Sequence, residues 1–330
     1  MSPRSLLTVE DLDISVKHRG SRRPLVRDVH LSVGAAESVG LVGESGSGKS
    51  LTIKAAMRLL PRNAAVGGSI SFDDQDVNKL GRRDLARFRS RDVALIHQDP
   101  RAHINPSRTI AQFITEGVVH TGLMSEESAL EQACALMRDV GITDAEKRLR
   151  QYPHQLSGGL LQRVMIVATM LPSPRLIFAD EPTTALDVTV QSDVMAILME
   201  QIRDHHMAML FVTHDLDLAA AVTDRLAVMY AGTIVETGDS QDICARPLHP
   251  YTAALLRSRP STTEVRRLTA IPGRPLAAYE VTSGCSFTSR CPFANDQCRN
   301  EVPQRRLIEG RTVTCHRAEE IAEPLQEQVS

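Results

Sequence analysis

Gly43, Gly48, Lys49 and Ser50 follow the order Gly-x4-Gly-Lys-Ser, a spacing suited to gripping a chain of phosphates. Glycines let the backbone curl so that consecutive N–H groups face inward, and a helix starting at Lys49 adds the positive end of its dipole. Lys49 supplies a mobile charge for the β- and γ-phosphates, and the Ser50 hydroxyl a ligand for Mg²⁺. Ser45, Gly46 and Leu51 complete the cradle. Further along, Leu176-Ile177-Phe178-Ala179 ends on Asp180-Glu181. Four apolar residues carry Asp180 into a buried place, where a carboxylate is tolerable beside a cation. Asp180 is therefore expected to support Mg²⁺. Glu181 is expected to act as general base on the attacking water, a role worth ~10²–10⁴-fold in rate. Gln98 precedes this pair, Ser157-Gly158-Gly159 lies between, and His214 follows. The series in that order points to a nucleoside triphosphate that is bound and hydrolysed.

Short aliphatic runs must position these groups. Leu6–Val9, Leu31–Val33 and Val39–Val42 read as short strands, and Lys49 to Leu60 as a buried helix stopped by Pro61. Val93–Ile96, Leu176–Ala179, Met209–Val212 and Leu226–Met229 suit central parallel strands covered by helices on both faces. Gly43, Gln98, Asp180 and His214 each stand just past one such run, the end of an α/β sheet where ligands bind. Ser125 to Val140 has helical spacing behind an N-cap serine. Residues of about 100–170 are expected to form a helical subdomain. Beyond Gly238 the chain turns loop-rich, with Pro247, Pro250, Pro260, Pro272 and Pro275. The expected division is 1–240 and 241–330.

Leu156-Ser157-Gly158-Gly159-Leu160-Leu161-Gln162-Arg163 resembles the signature of the ATP-binding subunits of ABC transporters. A Ser-Gly-Gly turn opening an apolar helix is a second anion-binding terminus. The resemblance implies an α/β fold, the P-loop ABC ATPase core: a mixed sheet with helices on both faces and an inserted helical subdomain. It implies that Ser157, Gly158 and Gly159 close over ATP held by a second ATPase subunit, identical or homologous. Asp187 takes the place of the D-loop aspartate at the seam between the two. His214 matches the switch histidine at the γ-phosphate, and Gln98 the Q-loop glutamine that contacts Mg²⁺ and reports nucleotide state. Glu181 remains the catalytic base. The aromatic residue that stacks on adenine in this family is absent from residues 12–42, leaving His18 or an arginine near Arg19 as substitutes.

Pro247-Leu248-His249-Pro250-Tyr251-Thr252, and Glu181 to Gln191, are similar to the branch that imports dipeptides, oligopeptides and nickel. The expected partners are two transmembrane permease subunits and, indirectly, an extracytoplasmic solute-binding protein. Some members carry a [4Fe–4S] cluster where this chain has Cys285, Cys291, Cys298 and Cys315. Four thiolates can ligate such a cluster or zinc; four reduced cysteines packed under a loop-rich cap remain the plain alternative. Cys134 and Cys244 are expected to be small buried apolar residues.

At 330 residues the chain can bury a full core. A net charge of −2 gives no reason to expect nucleic acid as partner. No apolar run approaches the roughly 18–20 residues that span a bilayer, and the N-terminus lacks a signal-peptide core. The expected location is peripheral, at the cytoplasmic face of the cell membrane. The alternative function, a soluble ABC ATPase acting on nucleic acid or ribosomes, lacks the coiled-coil insertions or tandem cassettes of that class.

Overall fold

Period-two burial governs the first strands, with one slip in each. The computed structural model describes residues 5–183, 188–258 and 270–327. In β1 (Ser5–His18) Leu7 and Val9 are buried, then Leu12 and Ile14; in β2 (Ser21–Gly34) Val26 is buried, then Val29, Leu31 and Val33. Each break of three falls at an aspartate with left-handed backbone, Asp11 (φ 50°) and Asp28 (φ 46°). An extra residue inserted there restores the inward face beyond it, as in a β-bulge. These are therefore two 14-residue strands and not the short ones the runs predicted. Arg19 and Gly20, both at positive φ, turn the hairpin. β3 (Ser38–Val42) is wholly buried. β4 (Ala64–Phe72) pairs antiparallel with β1 from Leu7↔Phe72 to Val16↔Ala64, and β5 (Gln75–Asp76) completes the sheet β2-β1-β4-β5.

By internal contacts the chain divides into two units, one of them holding Gly34–Glu37 and Lys79–Leu210. In it β6 (Val93–Ile96) runs parallel to β7 (Leu176–Asp180), from Val93↔Leu176 to Ile96↔Ala179. Helices Ile110–His120, Glu126–Asp139 and Gly158–Met170 pack together, each opened by a capping hydroxyl, on Thr109, Ser125 and Ser157. Ala129, Ala133 and Met137 give the second helix its buried stripe. β8 (Ala208–Thr213) carries the chain from this unit into the other.

The other unit contains β1–β5 and the chain from Phe211 onward. β9 (Arg225–Tyr230) lies parallel to β3, and β10 (Thr233–Asp239) antiparallel to β9. β11 (Arg306–Ile308) and β12 (Arg311–Val313) form a hairpin whose Thr312 and Val313 pair with β10, so the sheet is mixed. The segment beyond Gly238 is more structured than its prolines suggest. Asp239 caps helix Ser240–Ala245, and a second helix spans Pro250–Ser258. Leu248, Val313, Ala318, Ile321 and Leu325 build a small core there. Helix Lys49–Ala56 is shorter than its apolar run. Arg58 adopts φ 51°, and N–H groups of Arg58 and Leu59 donate to the carbonyls of Ala55 and Lys54, the Schellman closure. Cys134 and Cys244 are half-buried rather than buried.

One buried carboxylate organises the C-terminal segment. Glu236 of β10 is fully buried and accepts the N–H groups of Leu248 (2.9 Å) and His249 (3.0 Å), with Arg311 Nη1 at 3.6 Å. Burial raises its pKa, opposed by those N–H groups and by Arg311. Removing one partner of such a pair leaves an uncompensated charge, a cost of about 3–5 kcal/mol.

Candidate active site

β3 delivers the phosphate loop. At Gly43 a Cβ would stand 2.1 Å from the carbonyl oxygen of Met229, so no side chain fits. Gly48 caps the next helix at φ 115°, a conformation costly for other residues. The helix Lys49–Ala56 then presents its first-turn N–H groups to the loop. Lys49 is buried, and its Nζ donates to the carbonyls of Gly43 (2.7 Å) and Glu44 (3.1 Å). The ammonium thus lies folded along the loop it serves. Ser45 and Gly46 are exposed, while Ser50 and Leu51 are half-buried. The N–H of Gly232 donates to Ser47 O (2.8 Å), fastening the loop to the turn between β9 and β10. In the same unit His214 sits exposed one residue past β8, ahead of Asp215, which caps helix Leu216–Val222. His18 and Arg19 stand exposed at the β1–β2 turn.

The unit containing Lys79–Leu210 supplies the carboxylates. Leu176 to Ala179 are fully buried, and Asp180 and Glu181 emerge half-buried at the end of β7. Because Ile96 pairs with Ala179 in parallel register, Gln98 and Glu181 leave the sheet side by side. Gln98 Nε2 donates to Glu181 Oε2 at 3.2 Å. Glu181 has φ 48°, an unfavourable backbone for a side-chain-bearing residue that clusters at functional sites. Gln162 is a further support that the motifs did not assign. Fully buried in the helix Gly158–Met170, it donates from Nε2 to Pro182 O at 2.5 Å, tying the signature helix to the turn after Glu181. Ser157 is exposed and accepts the Leu160 N–H (3.4 Å), opening that helix with Gly158 and Gly159 in its first turn. Asp187 lies outside the described residues.

The C-terminal thiols converge. Cys285, Cys291, Cys298 and Cys315 line one small cavity with His249, Phe287 and Phe293 among its walls. Cys298 O accepts from the Cys285 N–H and from Thr288 Oγ1, both at 2.8 Å. Burial pushes the Cys291 thiol up to about 11 and that of Cys315 up to about 12. Among the described residues, Asp11, Asp28 and His30 alone bring three ligating atoms within 4.8 Å of one another.

Residues 26–184 match the family model described as ABC transporter, and residues 235–298 that described as oligopeptide/dipeptide transporter, C-terminal region. A probable peptide ABC transporter ATP-binding protein, y4tR of Sinorhizobium fredii, is 41% identical over 96% of this chain and 96% of its own length. The oligopeptide transport ATP-binding protein OppD of Escherichia coli is 38% identical over 94% of this chain and 93% of its own. Among solved structures, the ATP-binding cassette MJ0796 bound to ADP and Pi superposes with a TM-score of 0.63 at 23% identity. It covers 71% of this chain and 98% of that one.

Proposed function

The chain belongs to the ABC transporter ATP-binding proteins, in the branch with the oligopeptide/dipeptide C-terminal region, and from that premise we propose that it hydrolyses ATP to power peptide import across the cytoplasmic membrane. The observation that carries the catalytic part is Glu181, held at left-handed φ beyond a buried strand and hydrogen-bonded to Gln98. In this reading Gly43, Ser45, Gly46, Gly48, Lys49, Ser50 and Leu51 hold the triphosphate. Lys49 leaves its carbonyl partners to meet the β- and γ-phosphates. Ser50, Asp180 and Gln98 would hold Mg²⁺, which when bound neutralises charge on the phosphates. Glu181 takes a proton from the attacking water and His214 orients that water. Positioning and electrostatics supply most of the rate.

Residues 1–240 are assigned to the cassette and 241–330 to the extension. Ser157, Gly158 and Gly159 serve the ATP of a second ATPase subunit, identical or homologous, with Asp187 at the seam. Two permease subunits and, through them, an extracytoplasmic binding protein complete the assembly. A cleft of about 350 Å³ near Gln98, lined by Val93, Leu95, Phe113, Ile114 and Met165, supports docking of a permease segment. No helix among the described residues is long and apolar enough to cross a membrane, in keeping with peripheral attachment. Deleting the gene should abolish uptake of a labelled di- or oligopeptide, and restoring it should recover uptake. Unimpaired uptake of every peptide length tried, with the ATPase active in vitro, would send the search to another solute.

The four thiols are proposed to hold a [4Fe–4S] cluster. Their convergence on one cavity supports it. Such a group would cross-link a segment with a small core. Anaerobic purification should give brown protein with about four iron atoms per chain. Colourless, iron-free protein would end the proposal, and stoichiometric zinc would replace the cluster with that ion.

A further inference from the structure

The phosphate-loop pattern leaves its second position open, yet Glu44 is held there by both its backbone and its side chain. Arg290 approaches the Glu44 carboxylate with two parallel hydrogen bonds, Nη1 to Oε2 at 2.6 Å and Nη2 to Oε1 at 3.0 Å. The Arg290 side chain is 3% exposed and that of Glu44 22%. The guanidinium is braced further. Nε donates to Pro272 O at 2.8 Å, and the group lies over the rings of Tyr230 (5.7 Å) and Phe287 (5.9 Å). Arg290 ends the short turn Thr288–Arg290, between Cys285 and Cys291, so its position follows from the thiol-lined segment.

The second grip comes from the Pro-Leu-His-Pro-Tyr motif. Tyr251 Oη accepts the Glu44 N–H at 2.9 Å, the Tyr251 N–H donates to His249 Nδ1 at 3.0 Å, and the His249 N–H donates to the buried Glu236. A continuous chain of hydrogen bonds thus runs from β10 through this motif to the phosphate loop.

We propose that Arg290 and Tyr251 are positioning residues for nucleotide binding, through which the thiol-lined segment sets the shape and charge of the phosphate loop. This rests on the ATP-binding reading above. An unpaired carboxylate at Glu44 would stand beside the place meant for a triphosphate and repel it. Arg290 neutralises that carboxylate and, by bidentate geometry, fixes its direction. Tyr251 fixes the peptide plane that begins the loop.

The test is the dissociation constant of a fluorescent ATP analogue on the full chain, with steady-state ATPase kinetics beside it. Wild-type protein that binds no nucleotide would sink the ATP reading itself. Given wild-type binding, Arg290→Ala should weaken it by about ten-fold or more, and Arg290→Lys should recover part of the loss. The damage should fall on KM more than on kcat. Glu44→Gln in the Arg290→Ala background should restore affinity, because the repelling charge is gone; a merely structural role predicts additive losses instead. Should Arg290→Ala fail to fold, Arg290→Lys and Tyr251→Phe, which removes only the hydroxyl, carry the test. Wild-type affinity in both of those would overturn the proposal.

Discussion

Glu181→Gln should bind ATP as the wild type does and turn it over about 10²–10⁴-fold more slowly, the range lost with a general base. The replacement keeps size and left-handed backbone, and its amide can still engage Gln98 Nε2 through the remaining oxygen. What disappears is the carboxylate able to accept a proton from water. Because closure of two subunits around ATP precedes cleavage in this reading, the variant should accumulate as a dimer in MgATP. Phosphate release and size-exclusion chromatography in ATP report the two effects separately. Wild-type turnover would remove Glu181 from the role, whatever its geometry.

Lys49→Ala should act earlier, on binding. The ammonium is buried and held by two loop carbonyls, so it is already desolvated and needs only a short movement to reach a phosphate. A charge-assisted hydrogen bond contributes about 1.5–3 kcal/mol, hence a loss of roughly ten- to a hundred-fold in ATP affinity. The same substitution strips Gly43 O and Glu44 O of a donor. Thermal unfolding without nucleotide measures that separate structural cost. Unchanged affinity in isothermal titration would contradict the phosphate role.

The chemistry was legible because the fold places functional groups just beyond buried strands, and short aliphatic runs mark such strands well. The pairing of Gln98 with Glu181 follows from the equal offset of each past the paired residues Ile96 and Ala179. Other features left weaker traces. The bulges at Asp11 and Asp28 interrupt period-two burial, so two long strands read as fragments. Arg58 ends a helix in the conformation usually marked by glycine, and nothing in its type announces that. The grip of Arg290 and Tyr251 on Glu44 joins residues 246 and 207 positions apart. One sequence, without its coordinates, holds no signal for contacts at that separation. Gln162 belongs to the Leu156–Arg163 signature, yet its full burial and its bond to Pro182 depend on helix packing.

The hairpin β11–β12 lends its Thr312 and Val313 to β10. Cut back to a bare cassette ending at Asp239, the polypeptide would bare a row of backbone donors and acceptors along β10 and strand Glu236 without Arg311. Such a margin invites recruitment of a neighbour's strand, and with it sticking and precipitation. Anyone trimming this ATPase to a smaller engine should therefore retain the terminal ribbon, or blunt the margin with charge.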